Sequence, residues 1–229
     1  MYLDDRRIRI ITGHYGSGKT EFAVNYTVNL AKLTDRKVAI ADLDIVNLYF
    51  RSREKRDELE AQGIKVIYST IHEKMADLPA IAPEIVTPVK DKSYEYIIDL
   101  GGNDVGTAVL GRLKPILDHK EVDFFMVVNT NRPDTANAEG ILRHKDMIEA
   151  ASGLKVTGFI NNTNMIRETT EETILEGDRI LQEVVRITGV PVKYTTYVAE
   201  VTGDLVSSLE KKVTGDVLPL KFYMREDWM

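Results

Sequence analysis

The sequence predicts a three-layer α/β fold, in which helices cover both faces of a doubly wound, mainly parallel sheet. Short β-branched runs alternate with longer amphipathic stretches along the chain. Several of the short runs are continuously apolar, which is typical of strands that are covered on both faces. Gly153 and Gly189 stand just past two of the amphipathic stretches, where a helix commonly ends in a left-handed cap.

The same patterns predict the elements in chain order. We expect strands at residues 7–12, 37–42, 65–68, 96–100, 123–129, 156–161 and 190–194. We expect helices at residues 19–34, 105–119, 135–151, 170–188 and 199–212. The chain contains no internal repeat and no low-complexity linker, so residues 1–229 are expected to form a single domain. The end of the chain, residues 218–229, fits a packed tail, an extra edge strand or a partner contact.

Composition excludes several classes of protein. Hydrophobic residues make up 43% of the 229 residues, which is enough for a full core. The net charge of −6 disfavours a surface that binds nucleic acid, and the absence of cysteine excludes disulfides and cysteine-bound zinc or iron–sulfur clusters. No run approaches the roughly 20 apolar residues of a membrane span, and the acidic start is unlike a signal peptide. We therefore expect a cytoplasmic protein that binds neither membranes nor nucleic acid.

The most informative motif lies at residues 13–20, between the first expected strand and the first expected helix. It matches the pattern G-x-x-x-x-G-K-[ST], with Gly13, Gly16, Ser17, Gly18, Lys19 and Thr20. Glycines let consecutive backbone N–H groups curve around phosphate oxygens, and the helix behind them points its positive end at the same oxygens. A glycine turn beside a chance Lys-Thr pair is the alternative, which the position and the flanking elements disfavour.

Two side chains of the motif carry specific chemistry. Lys19 adds a full positive charge for the β- and γ-phosphates, and the Thr20 hydroxyl is placed to bind Mg²⁺. The motif therefore predicts a nucleotide site with ATP or ADP and Mg²⁺ as its ligands.

Two further expected strands end in acids. Asp42 and Asp44 follow the second strand and share a face if the chain is extended, and Asp99 ends the strand at residues 96–100. Gly102 follows Asp99 and would let its loop approach the γ-phosphate. Each acid alone could be an ordinary helix cap or turn former. Together with the glycine-rich loop, they predict a Mg²⁺ site formed by Thr20, Asp42 and Asp99.

These motifs resemble those of the MinD/ParA class of deviant P-loop ATPases. That class belongs to the broad SIMIBI-type group, which also holds dethiobiotin synthetase and metal-insertion NTPases. The resemblance runs from Ile8 to about Val192. It implies that Asp44 lies near the attacking water and acts with Lys19 in catalysis, and that Asp99 is the Mg²⁺-linked aspartate before a switch loop. It also implies that Asn161 reads the adenine edge and that Pro191 lies beside the base.

The sequence departs from this class at one position that bears on assembly. The class carries a signature lysine directly after the first glycine of the loop, and that lysine reaches the nucleotide of a dimer partner. Here the position holds His14, whose imidazolium could contact phosphate or whose ring could be an ordinary surface group. A nucleotide-dependent homodimer is therefore still expected, although the lysine that usually reaches the partner's nucleotide is absent.

The choice between adenine and guanine depends on residues 161–164. Nickel-insertion GTPases share the stretch Gly16–Thr20 but read guanine with the motif Asn-Lys-x-Asp. This chain has Asn-Asn-Thr-Asn instead, so adenine is favoured.

The functional hypothesis is a Mg²⁺-dependent ATP hydrolase, slow on its own, that acts as a nucleotide-driven switch for an unknown protein partner. Maturation, metal-insertion accessory and positioning roles all fit. The alternative enzyme is an ATP-dependent synthetase or kinase for a small metabolite, related to dethiobiotin synthetase. A pure nucleotide-gated binding module is the third class. The histidines show no metal-ligand spacing, so no intrinsic transition-metal site is expected.

Overall fold

A computed structural model describes residues 2–44, 52–68, 83–108 and 110–224 of the chain. Their strands form one eight-stranded sheet in the order β3-β2-β4-β1-β5-β6-β7-β8, and every neighbouring pair is parallel. The strands are β1 Ile8–Gly13, β2 Lys37–Leu43, β3 Ile64–Tyr68, β4 Tyr94–Leu100, β5 Val122–Val128, β6 Gly158–Asn161, β7 Val192–Val198 and β8 Asp216–Leu220. The doubly wound α/β fold predicted from the sequence is confirmed.

Helices connect these strands, as parallel pairing requires. They are α1 Lys19–Ala31, α2 Arg56–Glu60, α3 Pro83–Lys90, α4 Asp104–Ala108, α5 Leu110–Leu113, α6 Ala138–Ser152, α7 Glu171–Thr188, α8 Ala199–Thr202 and α9 Val206–Leu209. As predicted, α6 and α7 end at Gly153 and Gly189, both in the left-handed region with φ of 67° and 71°.

Two of the predicted helices differ in the structure. The described residues of the stretch 105–119 are α-helical up to Leu113 and then form a 3₁₀ turn at Lys114–Ile116, because Pro115 has no N–H to continue an α-helix. The stretch 199–212 forms α8 and α9, because Gly203 between them adopts a φ of 75°.

Apolar residues cover both faces of the sheet. Along β1, Ile8 and Ile10 pack into a core that includes Ile141 of α6, whereas Ile11 packs into a second core that includes Phe22 of α1. Alternate side chains of a strand point to opposite faces, so these two cores are the two interfaces of a three-layer structure.

The last described strand decides among the alternatives for the end of the chain. β8 pairs in parallel with β7, with Thr195 opposite Val217 in the register. The structure thus supports an extra edge strand for the start of this stretch, and residues 225–229 lie outside the described residues.

The parallel arrangement places the carboxyl ends of the strands along one edge of the sheet. There Gly13 of β1 pairs with Val127, Asp42 of β2 pairs with Asp99, and Val128 of β5 pairs with Asn161. Among the described residues, the helices are all too short or too polar to cross a bilayer.

Candidate functional site

The glycine-rich loop connects β1 to α1 and curves as the sequence predicts. Gly16 and Gly18 adopt φ values of 74° and 84°, which residues with a side chain rarely adopt, and the N–H of Ser17 donates to the His14 carbonyl over 3.0 Å. Gly18 is the N-cap of α1 and supplies no side chain to cap it. The first N–H groups of α1 therefore face the loop without a capping side chain, as an anion site at a helix N-terminus requires.

Close contacts with neighbouring atoms explain two of the glycines. A Cβ on Gly102 would overlap the Gly13 carbonyl oxygen, and a Cβ on Gly18 would overlap Nδ2 of Asn162. The same Asn162 Nδ2 donates to the Ser17 carbonyl over 2.7 Å, and its Oδ1 accepts from the Thr196 hydroxyl over 2.6 Å. The loop is thus held between the segment after β4 and the end of β6.

The charged side chains of the site lie close together beside this loop. The ammonium nitrogen of Lys19 lies 2.8 Å from Oδ2 of Asp44, and the two side chains are only 7% and 6% exposed. The Asp44 N–H donates to Oδ1 of Asp42 over 3.2 Å, and Asp42 pairs with Asp99 across β2 and β4. Thr20 is buried as well, at 6% exposure. The structure therefore brings together the residues that the sequence predicts for catalysis and metal binding.

Asp99 is fully buried, and burial raises its pKa to about 7. Nearby Lys19 and the Thr20 hydroxyl lower this pKa, whereas Asp42 and Asp44 raise it. Neither carboxylate oxygen of Asp99 makes a hydrogen bond of normal length within the part of the chain that the structure describes. A buried carboxylate of this kind favours a cation beside it, because the cation would stabilise the charged form.

The donor set fits Mg²⁺ better than a transition metal. It consists of carboxylate and hydroxyl oxygens, which Mg²⁺ prefers. In residues 2–44, 52–68, 83–108 and 110–224, no group of three or more His, Asp or Glu side chains is arranged to hold a metal alone. A Mg²⁺ ion held partly by nucleotide phosphates and water needs fewer protein ligands.

The two residues expected beside the base are placed differently. Asn161 is fully buried, where its Nδ2 donates to the Ile174 carbonyl over 3.0 Å and its Oδ1 accepts from the Thr163 N–H over 3.2 Å. Recognition of adenine by Asn161 stays a prediction. In the structure, the side-chain amide of Asn161 joins the end of β6 to α7. Pro191 precedes the first residue of β7 and so lies at the amino end of the sheet, opposite the loop. The structure thus corrects the expected position of Pro191.

A cleft of ≈ 380 Å³ opens at the loop, and its lining does not include Asp42, Asp44 or Asp99. It is lined by His14, Tyr15, Gly16, Gly18, Lys19, Thr20, Glu21, Arg132, Pro133 and Met224. Sequence reasoning missed Arg132, whose Nε donates to the Gly16 carbonyl over 2.9 Å. Its position just after the carboxyl end of β5 is the signal that could have found it, since ligands bind at this edge of the sheet.

His14 lies on the α6 side of the loop. Its Nε2 is 3.3 Å from Oδ2 of Asp134, and its ring centroid is 5.3 Å from that of His144. Both roles considered for His14, phosphate contact and surface group, stay predictions.

Comparison with known proteins supports the fold. No protein-family model and no curated protein sequence matches the chain. Among solved structures, FlhF complexed with GTP/Mg(2+) is similar at 15% identity and a TM-score of 0.56, with 87% of this chain and 68% of that chain covered.

FtsY structures are similar to a comparable degree. FtsY from Mycoplasma mycoides matches at 16% identity and a TM-score of 0.52, with 81% of this chain and 58% of that chain covered. FtsY from Thermotoga maritima matches at 20% identity and the same TM-score of 0.52, with 82% and 60% covered. The chain thus spans about three fifths of the length of these FtsY chains. At such identities the likeness shows the fold alone, a parallel sheet with helices on both faces.

Proposed function

We propose that this protein is a Mg²⁺-dependent ATPase that acts as a nucleotide-driven switch for a protein partner. The observation that carries the proposal is the buried pairing of Lys19 with Asp44 at 2.8 Å, beside the loop at residues 13–18 and the carboxyl ends of β2 and β4. This arrangement provides amides and one ammonium for phosphates, and carboxylates for a metal ion and a water molecule.

The chain's own residues have separable roles in this proposal. The backbone N–H groups of the loop and Lys19 bind the phosphates and stabilise negative charge on the transferred phosphoryl group. Asp44 orients the attacking water or accepts its proton. Thr20, Asp42 and Asp99 would hold Mg²⁺, which when bound would neutralise charge on the phosphate oxygens.

The switch part of the proposal follows from where Asp44 and Gly102 lie. A Cβ on Gly101 would be 3.0 Å from Oδ1 of Asp44, and Gly102 packs directly on the Gly13 carbonyl. The segments after β2 and β4 therefore touch both the phosphate loop and each other. Loss of the γ-phosphate would alter contacts in both segments, which is how nucleotide hydrolysis commonly reaches a partner surface.

Adenine is the proposed base, in a class of the MinD/ParA type. The stretch Asn161–Asn164 offers no acid for the guanine edge, and the first acid after it is Glu168. The test is calorimetric titration of the whole protein with Mg-ATP, Mg-ADP and Mg-GTP, followed by phosphate release. We expect ATP to bind at least tenfold more tightly than GTP, and slow phosphate release. Tighter binding of GTP would overturn the choice of adenine, and failure to bind any of the three would overturn the proposal.

Assembly is tested on the same protein. The exposed ring of Tyr15, 69% accessible, lies in the loop itself and would be covered by a second chain or a partner docked over the nucleotide. We expect gel filtration with a non-hydrolysable ATP analogue to show a dimer or a captured partner, and ADP to release it. Phosphate release that requires a metabolite pool and yields a phosphorylated or ligated product would instead favour the synthetase or kinase.

A further inference from the structure

The chain crosses α1 after β8 and returns to the nucleotide cleft. The segment that does so, residues 221–224, is called the C-terminal segment here. Its first residue exchanges two hydrogen bonds with Asn25 of α1: the Lys221 N–H donates to Oδ1 over 2.8 Å, and Nδ2 donates to the Lys221 carbonyl over 2.9 Å. The Tyr223 and Met224 side chains are half-buried and pack against the α1 side of the core.

Glu21 fixes the far end of this segment. Its Oε1 accepts from the Tyr223 N–H over 2.6 Å, and its Oε2 accepts from the Met224 N–H over 3.1 Å. Glu21 directly follows Thr20, so its carboxylate stands within the first turn of α1, next to the proposed phosphate site. A carboxylate there would repel phosphates unless it were engaged elsewhere, and the two backbone N–H groups engage it.

The anchored segment lines the same cleft as the phosphate-binding side chains. Met224 faces a cleft that Lys19 and Thr20 also line, together with the apolar groups of Tyr15 and Pro133. The volume of this cleft, ≈ 380 Å³, lies in the range of small-molecule sites. If phosphates occupy the loop, the flat apolar part of a nucleotide is the chemical group that fits the remaining walls.

We propose, on the basis of the proposed nucleotide binding, that the C-terminal segment forms one wall of the nucleotide cleft and that Met224 contacts the base. Glu21 is the positioning residue, which acts through Met224 by holding the backbone of the segment against α1. In this proposal, the base is bound in part by a residue far from the loop in sequence, since Met224 lies 203 positions after Glu21.

The test separates binding of the base from binding of the phosphates. The full-length protein is titrated by calorimetry with Mg-ATP and with Mg-tripolyphosphate, which has the phosphates but no base. We expect Met224→Ala to weaken ATP binding about fivefold and to leave tripolyphosphate binding unchanged. The matched control is Met147→Ala, because Met147 is a methionine of similar partial burial on α6, outside the cleft. It should leave both affinities unchanged.

Glu21→Gln tests the positioning role. Glutamine keeps one acceptor oxygen for the segment and loses the other, so we expect weaker ATP binding in the native background. In the Met224→Ala background the same change should have little further effect, because a residue that acts through Met224 cannot add to its loss. Additive effects would overturn the positioning role of Glu21.

Two results would overturn the inference while leaving the proposed function intact. In the first, Met224→Ala weakens ATP binding no more than Met147→Ala does. In the second, Met224→Ala weakens ATP and tripolyphosphate equally, which would show a disturbed loop and no contact with the base. A native protein that binds neither ligand would instead overturn the proposed function and this inference with it.

Discussion

The ammonium group of Lys19 and the carboxylate of Asp44 form a buried ion pair, with 2.8 Å between Nζ and Oδ2. This pair joins the phosphate loop to the residue that follows β2. Because a phosphate oxygen and a carboxylate oxygen compete for the same donor, nucleotide binding must share or break this pair. The ion pair therefore couples occupancy of the loop to the position of Asp44.

Replacing Lys19 tests the electrostatic part of the site. We expect Lys19→Ala to weaken ATP binding about 100-fold or more, because a charge-assisted contact with the phosphates is lost. Calorimetry measures the affinity, and thermal unfolding checks that the protein remains folded without the buried pair. The matched control is Lys32→Ala, since Lys32 is exposed and caps the other end of α1. Equal ATP affinity in the two variants would remove Lys19 from phosphate binding.

Replacing Asp44 separates catalysis from binding. We expect Asp44→Asn to slow hydrolysis about 100-fold or more, because asparagine cannot accept the proton of the attacking water. ATP affinity should be kept or increased, because Lys19 would no longer be paired with a carboxylate. Single-turnover phosphate release and calorimetry measure the two quantities, with the exposed Asp35→Asn as control. Unchanged hydrolysis by Asp44→Asn would show that Asp44 has no catalytic role.

The residues of this site that could be predicted are those that follow from local pattern. Two patterns predict these residues. Apolar runs that end in Asp42 and Asp99 predict strands with acids at their carboxyl ends, and a glycine-rich stretch before a helical pattern predicts the phosphate loop. Parallel pairing then brings the strand ends to one edge without further information. The contact of Asn162 with the Ser17 carbonyl has no such signal, because it joins residues 145 positions apart. The position of Arg132 after the carboxyl end of β5 indicates that it lies at this edge of the sheet, but its bond to the Gly16 carbonyl, 116 positions away, has no signal in the sequence.

The position of Pro191 shows a different kind of error. The strand predicted at residues 190–194 begins at Val192 and continues to Val198, so its carboxyl end comes four residues later than expected. Pro191 has no N–H for the ladder, yet its carbonyl accepts from the Phe159 N–H over 2.9 Å at the amino end of the sheet. Residue 191 lies near the amino end of the strand both as predicted and as observed, so the expectation that Pro191 lies beside the base rests on the family resemblance alone.

The contact between Gly102 and Gly13 predicts a strong effect of one methyl group. We expect Gly102→Ala to destabilise the protein by about 2 kcal/mol and to weaken ATP binding, because a Cβ would overlap the Gly13 carbonyl oxygen. Urea unfolding and calorimetry measure the two effects.

Gly111→Ala is the matched control for this substitution. A Cβ on Gly111 would have no atom within 4 Å, and Gly111 lies within α5, so alanine should be neutral or stabilise by at most about 1 kcal/mol. Similar stability and affinity in the two variants would show that close approach of the two loops is not required.

Burial of His144 predicts a loss of stability in mild acid. The pKa of His144 is lowered to about 4, mainly by burial and also by the nearby His14, whereas Asp134 raises it. In the unfolded chain the pKa returns to about 6.5, so below that pH the unfolded chain binds a proton that the folded protein does not. The free energy of unfolding should therefore fall as the pH falls from about 6.5 towards 4, by at most about 1.4 kcal/mol per pH unit.

A His144→Leu variant should lack this contribution. Leucine suits the site because Nε2 of His144 makes no hydrogen bond within the described residues. Urea unfolding at pH 7 and pH 5 should show a fall in stability that is about 2 kcal/mol smaller in His144→Leu than in the native protein. The exposed His119→Leu should keep the native dependence. An equal fall in all three proteins would show that other groups cause the acid sensitivity, and that His144 is protonated as readily in the folded protein as in the unfolded chain.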